Sequence, residues 1–73
     1  MGKQLELARL YRGYTQKEVA KNVNGLSQSK LSKFENGFGG INKNVLKETM
    51  SFLEFPYEFL EKYIPKLKTS LDF

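Results

Sequence analysis

The sequence predicts a compact all-α domain built from five short helices. Its 73 residues suffice for one hydrophobic core and not for two. Glycine or proline interrupts the chain at short intervals, and apolar residues between these interruptions recur at helical spacing. We assign residues 1–64 to this domain. We expect residues 65–73 to form a C-terminal tail, and the sequence leaves a docked strand, a frayed end, a linker and the end of a truncated chain as alternatives for it.

The first two predicted helices are separated by Gly13. Helix one is expected over residues 3–12, with two neighbouring apolar faces. Helix two begins with a capping box, in which Thr15 accepts from the Glu18 amide and the Glu18 carboxylate returns to Thr15. The Asn24-Gly25 pair tolerates positive φ and is expected to stop this helix. Its predicted inward residues are Val19, Ala20 and Val23.

Three further helices follow the same logic. Ser27 is placed to cap a third helix over residues 28–36, which Gly37 terminates. Leu31 and Phe34 point inward from it. A glycine-containing loop leads to a fourth helix over residues 43–53, and a proline-initiated fifth helix is expected over 56–63. The inward residues of these last two are predicted to be Val45, Leu46, Met50, Leu53, Phe59, Leu60 and Tyr63.

Composition narrows the possible functions. Residues 1–47 carry nine bases and three acids, a net charge of +6, whereas residues 48–73 have a net charge of −2. The basic part is suited to a polyanion, although an ordinary solvated surface has the same composition. Absence of cysteine and histidine excludes disulfides, zinc fingers and a histidine general base. We therefore expect no metal, no cofactor and no catalytic residue, and we predict that the chain is not an enzyme.

No apolar stretch has the length of a signal peptide core or of a membrane span. We expect a cytoplasmic protein without a membrane partner.

The segment 15–37 resembles the helix-turn-helix of the Cro/repressor (XRE) family, and the likeness extends over roughly residues 5–60. The residues that match the family pattern within the segment are Gln16, Ala20, Leu31, Phe34 and Glu35-Asn36-Gly37. The resemblance implies a lambda-repressor-like fold in which helices two and three form the helix-turn-helix. It also implies a transcriptional regulator, expected to be a repressor, of bacterial or phage origin. Its partner would be double-stranded DNA.

The third helix has the residues that a recognition helix requires. Such a helix buries one side and exposes short polar donors and acceptors to base edges in the major groove. One continuous face opposite Leu31 and Phe34 meets this requirement, and a solvated polar face is the alternative interpretation. The candidate base-contacting residues are Gln28, Ser29, Ser32 and Lys33.

Other polar residues are candidates for contacts with phosphate. Gln16 lies at a helix N-terminus, which favours an anion, and the resemblance implies a phosphate contact there. The remaining candidates flank the third helix or begin the fourth, and each could equally be plain surface: Lys30, Asn36, Lys43 and Asn44.

The resemblance also implies that Arg9 and Glu35 form an internal ion pair between helices one and three. One feature departs from the family pattern, because Asn24-Gly25 replaces the usual single glycine between helices two and three. The added residue either extends helix two or widens the turn.

Further segments, 9–16, 26–35 and 52–59, resemble one branch of the family, in which this domain precedes an ImmA/IrrE-type metallopeptidase domain. The chain would then be the N-terminal targeting domain of a longer regulator, and it lacks His-Glu-x-x-His itself. A protein-interaction or antitoxin-like module is the other alternative. As a DNA-binding protein, the chain is expected to act as a homodimer on a two-half-site operator, with no small-molecule substrate.

Overall fold

The computed structural model describes residues 1–61, and every regular element in that range is a helix. The elements are α1 (Gly2–Arg12), α2 (Gln16–Asn22), α3 (Gln28–Glu35) and α4 (Lys43–Phe52). A fifth helix, α5, occupies residues 58–61, up to the end of the described range. The predicted all-α fold with five helices is thereby confirmed. The boundary at 64/65, the tail 65–73 and the predicted end of α5 at Tyr63 lie outside the described residues.

One hydrophobic core joins the helices. Helix α3 packs against both α1 and α2, and α2 also contacts α4. Because α3 lies between two neighbours, only one of its faces remains for a ligand. The buried apolar side chains come from α1 to α4, the α2–α3 turn, and the residues after α4: Leu5, Ala8, Val19, Val23, Leu26, Leu31, Phe34, Leu46, Met50, Leu53 and Leu60.

The ends of the helices differ from the sequence prediction by one or two residues. Helix α2 ends at Asn22, and Val23 is already extended (φ −121°, ψ 120°). Val23 and Leu26, at the two ends of the turn that follows, are both buried. Helix α5 begins at residue 58 and not at 56. The residues before it form a tighter turn, in which the Phe59 amide donates to the Pro56 carbonyl and the Leu60 amide donates to the Tyr57 carbonyl, each three residues back. Helix α1 begins one residue earlier than predicted, at Gly2, and α3 and α4 each end one residue earlier.

Helix α1 buries only one of its two apolar faces. Leu5 and Ala8 are fully buried, whereas Leu7, Leu10 and Tyr11 are exposed. A helix on the outside of a single-core domain has only one side against that core, so the second face remains at the surface. Among the helices of residues 1–61, none has the length and apolar character that a bilayer span requires.

The start of α1 lies directly on the end of α3. Gly2 is buried, and a Cβ at this position would overlap the carbonyl oxygen of Phe34. Only a residue without a side chain permits this approach. The contact fixes one end of α3 against the domain.

Candidate nucleic-acid interface

Helix α3 starts from a side-chain cap and turns its apolar side inward. The Ser27 hydroxyl accepts a hydrogen bond from the Lys30 amide at 3.1 Å, which satisfies one of the unpaired donors at the helix start. Leu31 is fully buried and Phe34 nearly so. These two side chains hold the helix against the core. They also determine which of its sides faces outward.

The outward side of α3 carries the predicted base-contacting set. Gln28, Ser29 and Lys33 are exposed, and Ser32 is half-buried. The helix therefore presents an amide, two hydroxyls and an ammonium group on one surface, the groups that reach base edges in the major groove.

Two further predicted residues of α3 lie at its edges. Lys30 is exposed in the first turn. Asn36 caps the other end, where its Nδ2 donates to the Ser32 carbonyl at 2.8 Å. This bond holds the Asn36 amide group against the helix, within the same surface as Ser32 and Lys33.

The N-terminus of α2 is set by the predicted capping box. The Thr15 hydroxyl accepts from the Glu18 amide at 3.1 Å, and the Thr15 amide donates to the Glu18 carboxylate at 2.8 Å. The hydrogen bonds to the Thr15 backbone and side chain lower the pKa of Glu18.

Gln16, the first residue of α2, is half-buried beside this cap, and its Nε2 donates to the Glu35 carboxylate at 2.9 Å. The amide nitrogen carries two hydrogens, so the bond to Glu35 uses one of the two donors of the Gln16 side chain.

Arg9 and Glu35 form a fork-like pair between α1 and α3. Arg9 Nε lies 2.7 Å from Glu35 Oε2, and Arg9 Nη2 lies 2.9 Å from Oε1. The remaining Nη1 donates to the Tyr14 carbonyl at 2.8 Å. Because the side chains are only 9% and 3% exposed, water contributes little to their solvation. The hydrogen bond to Glu35 raises the pKa of Arg9, which keeps the guanidinium charged.

The start of α4 supplies two more exposed polar residues. Asn42 caps the helix by accepting from the Val45 amide at 2.9 Å. Lys43 and Asn44 follow in the first turn, and both are exposed. The Lys43 ammonium lies 5.8 Å from the centre of the Tyr57 ring, at the outer range of a cation–π contact.

A family model described as a helix-turn-helix, of the Cro/repressor (XRE) type, matches residues 5–60. This chain belongs to that helix-turn-helix family. No curated protein and no solved structure matches the chain. The family is DNA-binding and non-catalytic, so the five helices constitute a DNA-binding helix-turn-helix domain of a transcriptional regulator.

The turn of this helix-turn-helix domain is wide, and both of its ends are anchored in the core. It spans residues 23–27, between the end of α2 and the start of α3. Val23 and Leu26 bury their side chains at its two ends. Gly25 adopts φ +81°, and a Cβ there would lie 3.4 Å from Val45 on α4. Of the two sequence alternatives, the extra residue therefore widens the turn, because α2 is not extended.

Sequence reasoning missed three features of the domain. One is the bond between Gln16 and Glu35, which no local spacing signals because the partners lie 19 residues apart. Another is Arg12, whose Nε and Nη2 donate to the carbonyls of Leu53 and Glu54 at 2.7 and 2.9 Å. The third is Phe38, which is 80% exposed. A large apolar residue between glycines was the signal in the sequence that could have identified it.

Proposed function

We propose that α3 of this DNA-binding domain lies in the major groove and reads base edges there. The single observation that carries the proposal is the exposed polar face of α3 opposite its buried Leu31 and Phe34. The proposed base contacts are made by Gln28, Ser29, Ser32 and Lys33. A glutamine amide pairs with both N6 and N7 of adenine, and an ammonium donates to guanine, so Gln28 and Lys33 carry the most sequence information.

The proposed phosphate contacts surround this face and position it on the duplex. They are made by Gln16, Lys30, Asn36, Lys43 and Asn44. Glu35 supports the role of Gln16, since the carboxylate holds the side-chain amide in one orientation at the start of α2. Such contacts strengthen binding to every sequence, and those of Lys30 and Lys43, which neutralise phosphate charge, depend steeply on salt.

The test begins with the selection of preferred duplexes from random DNA. Gln28→Ala and Lys33→Ala should each weaken binding to the selected operator by roughly ten- to a hundred-fold. Their melting temperatures should stay near that of the wild type, because both side chains are exposed. Lys21→Ala is the matched control for charge, since Lys21 is exposed on α2 outside the proposed set. Full retention of operator affinity by both α3 variants would refute the assigned face.

We further propose that the domain acts as a homodimeric repressor on an operator with two half-sites. A single recognition helix reads only a few base pairs, and paired half-sites about one helical turn apart supply the remaining specificity. An apolar groove on the side of α1 supports self-association. Its lining residues are Leu7, Tyr11, Arg12, Phe55 and Phe59.

Sedimentation of the domain with and without operator DNA tests this dimer. Leu7→Asp should abolish two-half-site binding at concentrations where the wild type is dimeric, while binding to one half-site persists. Leu7 is 42% exposed, so its replacement leaves most of the core in place. A wild-type domain that binds two half-sites independently, with no effect of Leu7→Asp, would exclude the proposed surface.

A further inference from the structure

The loop after α3 exposes an aromatic side chain. Phe38 is 80% exposed, the largest exposed fraction among the large apolar side chains of residues 1–61. A single exposed apolar residue is common on protein surfaces and is not evidence of a site by itself. The backbone around Phe38 and the chemistry of the neighbouring residues are therefore decisive.

The backbone fixes Phe38 at the end of the recognition helix. Its amide donates to the Lys33 carbonyl at 2.9 Å, and the Gly37 amide donates to the Phe34 carbonyl at 3.0 Å. Gly37 has φ +91°, the left-handed conformation that closes a helix in this way. Phe38 is thus hydrogen-bonded to Lys33, one of the residues proposed to face the bases.

Two further glycines carry the chain away from Phe38. Gly39 and Gly40 have φ of +72° and +95°, and a Cβ at either would meet no atom within 4 Å. The glycines therefore serve the course of the backbone and not close packing. After them, Ile41 returns to the core as a half-buried residue, and α4 begins. The loop keeps Phe38 outside the core while both of its ends are anchored.

In the sequence, the loop is flanked on both sides by residues proposed to contact phosphate. Asn36 precedes Phe38, and Lys43 and Asn44 follow at the exposed start of α4. Consecutive phosphates of a DNA strand are separated by deoxyribose, the apolar part of the backbone. If the two ends of this loop bind phosphates of one strand, the exposed side chain between them faces the sugars that link those phosphates, and a phenyl ring is chemically suited to pack on their C–H surface.

We propose that Phe38 packs against the deoxyribose of the DNA strand that the ends of α3 and α4 contact. The proposal rests on the proposed function of α3 and adds an apolar, sequence-independent contact to it. Phe38 neutralises no phosphate and donates no hydrogen bond. Its contribution to affinity should thus be the same for all duplex sequences and unchanged by salt.

The test measures binding of Phe38 variants to the selected operator and to an unrelated duplex. F38A should bind both duplexes roughly ten-fold more weakly than the wild type. This loss corresponds to the burial of about half of a phenylalanine side chain against the DNA. Its salt dependence should match that of the wild type, whereas Lys43→Ala should reduce the log–log salt slope by about one. The melting temperature of F38A should not fall, because Phe38 is largely exposed.

Two conservative variants identify what the ring touches. F38L should keep most of the affinity, because packing on sugar needs an apolar surface and not an aromatic plane. The chain has no tryptophan, so the fluorescence emission of F38W comes from position 38 alone. This emission should change when either duplex is added.

Different results separate the possible failures. Wild-type affinity of F38A, or unchanged F38W emission with bound DNA, would overturn the sugar contact while the function of α3 stands. F38L as weak as F38A would show that the contact requires an aromatic plane, which would replace packing on sugar with stacking of the ring on a base. A loss confined to the operator would indicate base reading by Phe38. A wild-type domain that binds no duplex would refute the function and this contact together.

Discussion

Replacement of Arg9 should unfold the domain, although Arg9 contacts no proposed DNA-binding surface. Its side chain is 9% exposed and makes two bonds to Glu35 and one to the Tyr14 carbonyl. Arg9→Ala leaves the Glu35 carboxylate buried without its cation, which costs about 3–5 kcal/mol. A single-core domain of this size has a net stability of only about 3–5 kcal/mol. The variant should therefore be largely unfolded in water at room temperature.

Removal of both charges should restore most of the lost stability. In the variant with Arg9→Met and Glu35→Leu, no charge is stranded, and apolar side chains of similar volume fill the space. We expect its free energy of unfolding to lie within about 2 kcal/mol of the wild type. The residual loss comes from the Gln16 amide and the Tyr14 carbonyl, each of which loses a partner worth about 1 kcal/mol.

Urea denaturation followed by helical circular dichroism measures all three proteins. The mechanism requires a large loss for Arg9→Ala and a recovery in the double variant. If Arg9→Ala unfolded within about 1 kcal/mol of the wild type, the pair would not be a buried ion pair in solution. If the double variant were no more stable than Arg9→Ala, specific packing and not a stranded charge would explain the loss.

Four further predictions concern other contacts of the fold. Gly2→Ala should lower the free energy of unfolding by about 1–3 kcal/mol in urea denaturation, because the new methyl group overlaps the Phe34 carbonyl. Arg12→Ala should lower it by about 1–2 kcal/mol in the same assay, since the guanidinium caps two carbonyls after α4. Thr15→Ala should cost about 1 kcal/mol by removing the N-cap of α2, measured as a lower thermal midpoint. Because the pKa of Glu18 is lowered in the folded state, its charge stabilises the domain above the ordinary carboxyl pKa. That stability should disappear as the pH falls through the lowered pKa.

Matched variants give each of these predictions a control. Lys3→Ala changes an exposed neighbour of Gly2 and should leave stability nearly unchanged. Arg12→Lys keeps the charge but loses the planar fork that donates to both carbonyls and lies 4.6 Å from the centre of the Phe55 ring, so it should recover only part of the stability lost in Arg12→Ala. Glu18→Gln keeps the capping geometry and loses only the charge. Its difference from the wild type should therefore shrink at acid pH, and a constant difference would contradict the electrostatic origin.

Local sequence signals predicted where helices begin better than where they end. Thr15 and Ser27 cap α2 and α3 because a hydroxyl at that position has a fixed partner within the next turn. The end of α2 depends on tertiary structure, since Val23 is extended and the turn after it buries Leu26 against the core. The Asn24-Gly25 signal marked a left-handed residue correctly, at Gly25, but the helix already ends at Asn22, before this pair. An end that forms through packing has no purely local signal.

In the candidate site too, features set by helical periodicity were predicted, and features set by packing between helices were not. Helical periodicity alone separates the buried Leu31 and Phe34 from the exposed Gln28 and Lys33. By contrast, α1 has two apolar faces, and composition could not decide that Tyr11 stays at the surface. That choice depends on where α3 packs.

The Glu35 carboxylate links the stability of the domain to its proposed contact with DNA. Oε1 accepts from both Arg9 on α1 and Gln16 at the start of α2, while Glu35 itself ends α3. The three helices thus meet at one buried acceptor. Loss of the carboxylate would free the Gln16 amide to rotate as well as loosening α3. Weaker DNA binding after replacement of Glu35 would therefore follow even where the fold survives, because a phosphate donor that must first be ordered contributes less to affinity.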